Sequence, residues 1–239
     1  MINSLQNMKV DLFADGADLQ TMIEMAKKPF IKGLTTNPTL MRKAGINDYK
    51  LFAKEVITAI QNKPISFEVF SDEPKEMISQ GFEIASWGKN VNVKIPITNS
   101  MGQSTKSIIK ELSSEGVAIN VTALLTMDQV KTVVDSVDES SNVFISVFAG
   151  RIADTGRDPI PLMQEALELM KEKPKAKLIW ASPRELLNVI QANDIGCHII
   201  TATSDILKKL ELIGKDLSEY SLDTVRMFRD DALASGYKI

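Results

Sequence analysis

The chain is poor in the residues that disulfide, metal and proton-shuttle chemistry need. It has one cysteine, Cys197, and one histidine, His198. A lone thiol excludes an internal disulfide and a cysteine-cluster zinc site, and a lone imidazole excludes a His-rich metal site or a histidine pair. Acid–base work must therefore fall to carboxylates, lysines or water. No run of about 18 apolar residues occurs, so the sequence offers no candidate membrane span. Met1–Asn7 have neither a basic start nor an apolar core, and the expected location is cytoplasmic. The glycine-rich phosphate loops of nucleotide sites are missing too. Net charge is −3, and the densest basic stretch, Lys171 to Lys177, is broken by Glu172 and Pro174. That stretch reads as a solvated helix end, and without a basic face or interleaved aromatics neither nucleic acid nor a membrane surface is an expected partner.

What is present fits one soluble domain. Apolar residues make up 44% and charged residues 25% of 239, close to the globular average. The length suits a single (β/α)8 barrel of about 250 residues, so one domain over 1–239 is expected. Short apolar runs alternate with longer amphipathic stretches, the mark of repeated βα units around a parallel sheet. Strands are predicted near 10–15, 30–36, 65–70, 91–96, 117–122, 143–148, 177–181 and 198–201. Helices are predicted over 18–27, 49–60, 74–87, 105–114, 127–137, 159–171, 183–192 and 205–212. Ser71 and Asp72 precede Pro74 as a helix start, and Ser182-Pro183-Arg184-Glu185 has the spacing of a capping box. A further amphipathic segment around Leu222, Val225 and Phe228 has no strand after it, and it is expected to pack under the barrel or reach a neighbouring subunit.

Buried parallel strands should read as nearly continuous Val, Ile and Leu, so polar residues inside them are informative. Such exceptions are Asp15 at the end of the first strand, Glu68 in the third, Asn92 and Lys94 in the fourth, and Asn120 and Thr122 in the fifth. The two-residue period of a strand turns Asn92 with Lys94, and Asn120 with Thr122, to a common side. If the apolar set meets the helices, the polar set faces the barrel axis, near the C-terminal strand ends where barrel active sites are built. Two readings stand. Glu68 and Lys94 form a structural ion pair satisfied by Asn120 and Thr122, at a desolvation cost of several kcal/mol per ion. Alternatively, a lysine amine in a low-dielectric pocket loses its proton more readily and attacks a carbonyl to form an imine, with Glu68 and Asp15 as separate proton carriers. A second cluster comprises Arg151 after strand six and Ser182 and Arg184 after strand seven. Beside a helix N-terminus they would make an anion pocket, although Ser182 alone could be a cap and each Arg a surface pair. Cys197 and His198 are adjacent in a strand, point to opposite faces, and are read as packing residues.

At this point the residues resemble a known family, the transaldolases, and in particular the small branch that also holds the fructose-6-phosphate aldolases. Gly33-Leu34-Thr35-Thr36-Asn37-Pro38 and Val93-Lys94-Ile95-Pro96 carry the resemblance, which runs from about Val10 into the C-terminal helix. It implies that Lys94 is the Schiff-base lysine and Asp15 the general acid/base for carbon–carbon cleavage. It also implies that Glu68 and Thr122 hold a proton-relaying water. Asn37 and Asn120 would bind the substrate's hydroxyls and C1 end, Thr36 would neighbour the pocket, and Arg151, Ser182 and Arg184 would bind phosphate. Where the aldolases of the branch carry Gln and Tyr, this chain has Glu68 and Phe148, as the transaldolases do. The resemblance therefore implies transfer of a dihydroxyacetone unit between sugar phosphates, without metal or organic cofactor, by a homo-oligomer. A simple aldolase releasing dihydroxyacetone, a transaldolase for an unusual ketose, and a silent sugar-phosphate-binding barrel are the alternatives. Pro183 replaces an expected aromatic, and Met1–Asn7 match nothing in the family.

Overall fold

Eight parallel strands close into a barrel in the order β1 to β8, the order of the chain. The computed structural model describes residues 8–238, and the unmatched segment Met1–Asn7 lies outside them. The strands are β1 (Asp11–Asp15), β2 (Ile31–Thr35), β3 (Ile65–Glu68), β4 (Val91–Pro96), β5 (Ile119–Leu124), β6 (Val143–Val147), β7 (Lys177–Trp180) and β8 (Ile199–Thr203). Around them, in chain order, run α1 (Leu19–Lys27), α2 (Pro38–Lys43), α3 (Tyr49–Ala59), α4 (Pro74–Ala85), α5 (Lys106–Ser114) and α6 (Met127–Val134). They are followed by α7 (Ala149–Ala153), α8 (Ile160–Leu169), α9 (Leu187–Asp194), α10 (Ser204–Lys208) and α11 (Leu217–Ala234). Every predicted strand is present. The short helices α2 and α7 sit in loops that follow β2 and β6 and have no apolar period long enough to announce them.

The main core lies between barrel and helices, where Ile31, Leu34, Ile65, Val93, Ile95, Val121 and Ile145 are essentially inaccessible. Side chains alternate along a strand, so their neighbours point into the barrel. The interior is divided. Phe13, Ile179, Ala181 and Ile199, with Phe144 and Phe148 against them, make a separate apolar cluster on the side of β1, β6, β7 and β8. Ser66 on β3, Asn120 on β5 and Ser146 on β6 make a polar layer, with the Asn120 amide donating to Ser66 Oγ (3.0 Å) and accepting from the Ser146 hydroxyl (2.7 Å). Gly33 permits this arrangement. A Cβ there would stand 2.8 Å from Cε1 of the Phe13 ring, with other ring atoms closer still. Gly33→Ala is expected to push that ring out of its place against Phe144, costing about 1–3 kcal/mol as overpacking does. Chemical denaturation measures it, and a loss under about 0.5 kcal/mol would mean that the ring has room to yield.

One expected helix start and one expected cap are corrected. The helix after β7 begins at Leu187, not Pro183, and it has no side-chain cap. Ser182 instead adopts a left-handed φ of 60°, and the Asn188 side-chain oxygen accepts from the backbone N–H groups of Arg184 (2.7 Å) and Glu185 (3.2 Å). Ahead of α4 the capping position falls to Glu73, and Ser71 Oγ accepts its N–H at 3.0 Å. At the other end of the chain, α11 buries none of its residues, and Val225 and Phe228 are 60% and 63% exposed. Among the described residues no helix is long and apolar enough to cross a membrane.

Candidate functional site

A cavity of about 460 Å3 opens at the C-terminal mouth of the barrel, and ten of the eleven sequence-predicted site residues line it. The exception is Thr36, which is fully buried. Its hydroxyl donates to the Ser66 carbonyl (2.8 Å), and only its own carbonyl faces the site, accepting from Lys94 Nζ at 2.8 Å. Thr36 thus holds the lysine rather than lining the pocket. Asn92 is a second correction, because it lies at the opposite, N-terminal mouth.

Lys94 is 6% exposed. In the strand register it stands beside Glu68 on one side and Asn120 on the other. Its amine lies 3.3 Å from Glu68 Oε2. Glu68 is in turn fixed from outside the barrel. Strands β2 and β3 pair only through Leu34 with Ile65 and Thr35 with Ser66. Beyond that point the Tyr49 hydroxyl takes the place of a neighbouring strand, accepting from the Glu68 N–H (2.7 Å) and donating to the Glu68 carbonyl (3.0 Å). Burial pushes the Tyr49 phenol well above its ordinary range, so it stays protonated for both bonds. Tyr49→Phe is expected to leave two backbone groups without partners and to destabilise the fold by about 1–3 kcal/mol. An unchanged denaturation midpoint would mean that water replaces the hydroxyl at no cost.

Across the cavity, Asp15 accepts from Thr35 Oγ1 (2.7 Å) at one oxygen and from Asn37 Nδ2 (3.1 Å) at the other. Thr35 Oγ1 also meets Thr201 Oγ1 at 2.6 Å, so the carboxylate ends a short chain of hydroxyls. Asn37 serves twice, since its side-chain oxygen caps α2 at the Leu40 N–H (2.9 Å). Burial raises the Asp15 pKa above 3.8, and Lys94, Thr35 and Asn37 only partly oppose it. A raised carboxyl pKa contributes stability fully present below the unfolded-state value and lost as pH climbs through the folded-state value. Asp15→Asn removes that term, so the variant-minus-wild-type difference in Tm is expected to grow more positive from about pH 4 upward. A difference flat with pH would sink the assignment.

Thr122 Oγ1 is buried with no hydrogen-bond partner among the described residues, beside the Lys94 and Glu68 walls of the cavity. The next residue, Ala123, has a φ of 64° where the pairing of β5 with β6 slips, a bulge that bends the strand end at the cavity. The cationic wall differs from its expected form. Arg184 is clasped by Asp154, with Nε donating at 2.9 Å and Nη2 pairing with the second oxygen, while Nη1 donates to Ser182 Oγ (3.0 Å). Arg151 lies over the Phe148 ring, 5.9 Å from its centroid. No residue of α9 lines the cavity, although Asn188 in its first turn holds the Arg184 backbone N–H. Sequence reasoning missed Asp154, Thr35, Ser146 and Thr201. The first sits in an unremarked helix end, and hydroxyls inside apolar strands are too common to mark a site. His198 is set apart, and its expected packing role is corrected: it is exposed, with Nδ1 accepting from the Leu178 N–H at 3.1 Å, while Cys197 is buried as expected.

Residues 12–238 match the family model described as Transaldolase/Fructose-6-phosphate aldolase. The chain belongs to that family. A protein named "Probable transaldolase" from Dehalococcoides mccartyi is 33% identical over 83% of this chain and 89% of its own length. Another of the same name from Thermoanaerobacter sp. is 31% identical over 95% and 99%. An HpcH/Hpal aldolase/citrate lyase family protein from Burkholderia cenocepacia superposes with a TM-score of 0.58 over 93% of this chain and 97% of that one, at 12% identity, and shares the fold alone. For a member of the transaldolase family, a buried lysine between Glu68 on β3 and Asn120 on β5, with Asp15 across the cavity, is the feature of this mouth that bears on chemistry.

Proposed function

We propose that the chain is a transaldolase that carries a dihydroxyacetone unit from a ketose phosphate, such as fructose 6-phosphate or sedoheptulose 7-phosphate, to an aldose phosphate. The observation that carries this reading is the Lys94 amine, buried at the base of the cavity between Glu68 and the Thr36 carbonyl. The neutral amine adds to the ketose carbonyl, and the resulting carbinolamine loses its hydroxyl as water with a proton relayed from Glu68 and a water held by Thr122. Asp15, its pKa raised toward working pH, takes the proton of the substrate hydroxyl as the carbon–carbon bond breaks. The departing aldehyde leaves an enamine on Lys94, which adds to the acceptor aldehyde while Asp15 returns the proton, and water then hydrolyses the product imine to free the new ketose and the Lys94 amine. Asn37 and Asn120 meet the substrate's hydroxyls, each with an amide hydrogen to spare. Arg151, Arg184 and Ser182 hold the phosphate, and Asp154 keeps Arg184 in place.

Phe148 has no hydroxyl with which to protonate the enamine, which favours transfer over release of free dihydroxyacetone. Small sugar phosphates are the partners of this reading, and the setting is cytoplasmic. A homo-oligomer belongs to it, supported by the uncovered apolar residues of α11. Borohydride reduction in the presence of fructose 6-phosphate, followed by peptide mapping, is expected to place a reduced adduct on Lys94. A folded protein that yields no adduct with any ketose phosphate would overturn the reading. Turnover that persists without an acceptor aldehyde would favour the simple aldolase.

A further inference from the structure

The barrel's other mouth holds a cavity of about 490 Å3, and the family chemistry makes no use of it. Its wall includes Ala118, Val143 and Phe144, and its rim carries Lys89, Lys175 and Lys177. No carboxylate lines it among the described residues; Asp11, just outside, lies 3.8 Å from Lys177. A fourth lysine, Lys63, is committed to structure, donating to the carbonyls of Ala26, Lys28 and Ile31. Positive charge thus gathers at one mouth of a chain whose net charge is −3, which focuses the field for an anion. Lysines beyond helix C-termini are commonplace, because they face the negative end of the helix dipole. That accounts for the charges but not for Asn92. Its side chain belongs to this cavity, the residue is 7% exposed, and its amide bonds to no other described residue. An amide that bonds to no other described side chain or backbone and lines an open cavity has its donors and acceptor free for what enters there.

We propose that this N-terminal mouth is a second anion site, which holds a small phosphorylated metabolite between the Asn92 amide and the ammonium groups of Lys89, Lys175 and Lys177, with its uncharged part against Phe144. Asn92 and Lys94 are two residues apart on β4, about 7 Å at the rise of a strand. A ligand below therefore rests on the same strand that carries the proposed nucleophile above.

Titration calorimetry with inorganic pyrophosphate tests the site, in an Arg151→Ala/Arg184→Ala background so that the upper mouth does not compete. One equivalent is expected to bind. Asn92→Leu is expected to weaken it by about tenfold, the loss of a hydrogen bond to a charged group. Asn92→Asp, nearly isosteric, and the Lys89→Ala/Lys175→Ala/Lys177→Ala variant are expected to abolish it. Those lysines are exposed, so their removal leaves the fold in place, and circular dichroism checks each variant. Absence of binding in the background protein overturns the proposal. So does binding that survives both Asn92→Asp and the triple lysine change, or that follows the lysines but is indifferent to Asn92, which would be diffuse counterion attraction.

Discussion

Lys94→Ala is expected to lower transfer by at least about 10^4-fold and to abolish the borohydride-dependent mass gain, while fructose 6-phosphate still binds. The size follows from the absence of a substitute. Lys94 is the one lysine among the described residues that line the upper cavity, and the other cations there are the guanidinium groups of Arg151 and Arg184, which do not give up a proton. Binding is expected to survive because the cationic wall and the Asp15–Asn37 pair are untouched. The fold is expected to survive as well. Removing one member of a buried ion pair costs about 3–5 kcal/mol, but the Glu68 side chain keeps 17% exposure at the cavity and can be hydrated there. Rate measurements at saturating donor and acceptor, with calorimetric binding beside them, separate the two effects. A variant that retained more than about a hundredth of wild-type activity would place the nucleophile elsewhere.

Gly150→Ala is expected to do the opposite, damaging the fold first and the chemistry through it. A Cβ at Gly150 would fall inside the contact radius of the Ser182 carbonyl oxygen and 2.7 Å from the Ser182 carbonyl carbon. Backbone offers no flexible end that could yield, so the β6 and β7 loops would have to part. The Gly150 N–H, 3.4 Å from the Ala181 carbonyl, would be carried with them. Ser182 already stands at a left-handed φ of 60°, a conformation that surrounding contacts must enforce. A loss above about 4 kcal/mol is expected, with a raised KM for phosphorylated donors in whatever folds, because Ser182 and Arg184 move together. Equilibrium denaturation decides, and a loss below about 1 kcal/mol would show that the two loops can separate freely.

Much of this was legible in the sequence, and the pattern of what was not is physical. The strands could be read because a parallel strand covered on both faces is apolar throughout, which made Glu68, Lys94 and Asn120 conspicuous. A family resemblance added roles to residues that periodicity could only place. The loops were legible in part. Helix α2 is six residues long and α7 five, too short to show a period, and Asn37 caps α2 as well as bonding Asp15. The apparent capping box at Ser182 had the right letters, but the close approach of Gly150 and the bonds from Asn188 turned that stretch into a turn. Strand alternation rightly put Asn92 inside the barrel, but as the second residue of β4 it belongs to the N-terminal mouth and not to the C-terminal end with Lys94. The clasp of Arg184 by Asp154 joins residues 30 apart in sequence, and no local pattern announces it.

The division of the barrel interior sets two different rules of inheritance. On the side of Phe13, Phe144, Ile179 and Ile199 a position is defined by volume, and neighbours of the right bulk can trade places with little consequence. On the side of Ser66, Asn120 and Ser146 a position is defined by valence, by what it donates and what it accepts, and a change at one residue strands its partner. Descendants of this chain are therefore free to drift at the first set of positions and obliged to move in concert at the second. New substrate shapes have their easiest entry where Phe148 and Ala181 line the mouth, while Asp15, Glu68 and Lys94 pass on unaltered.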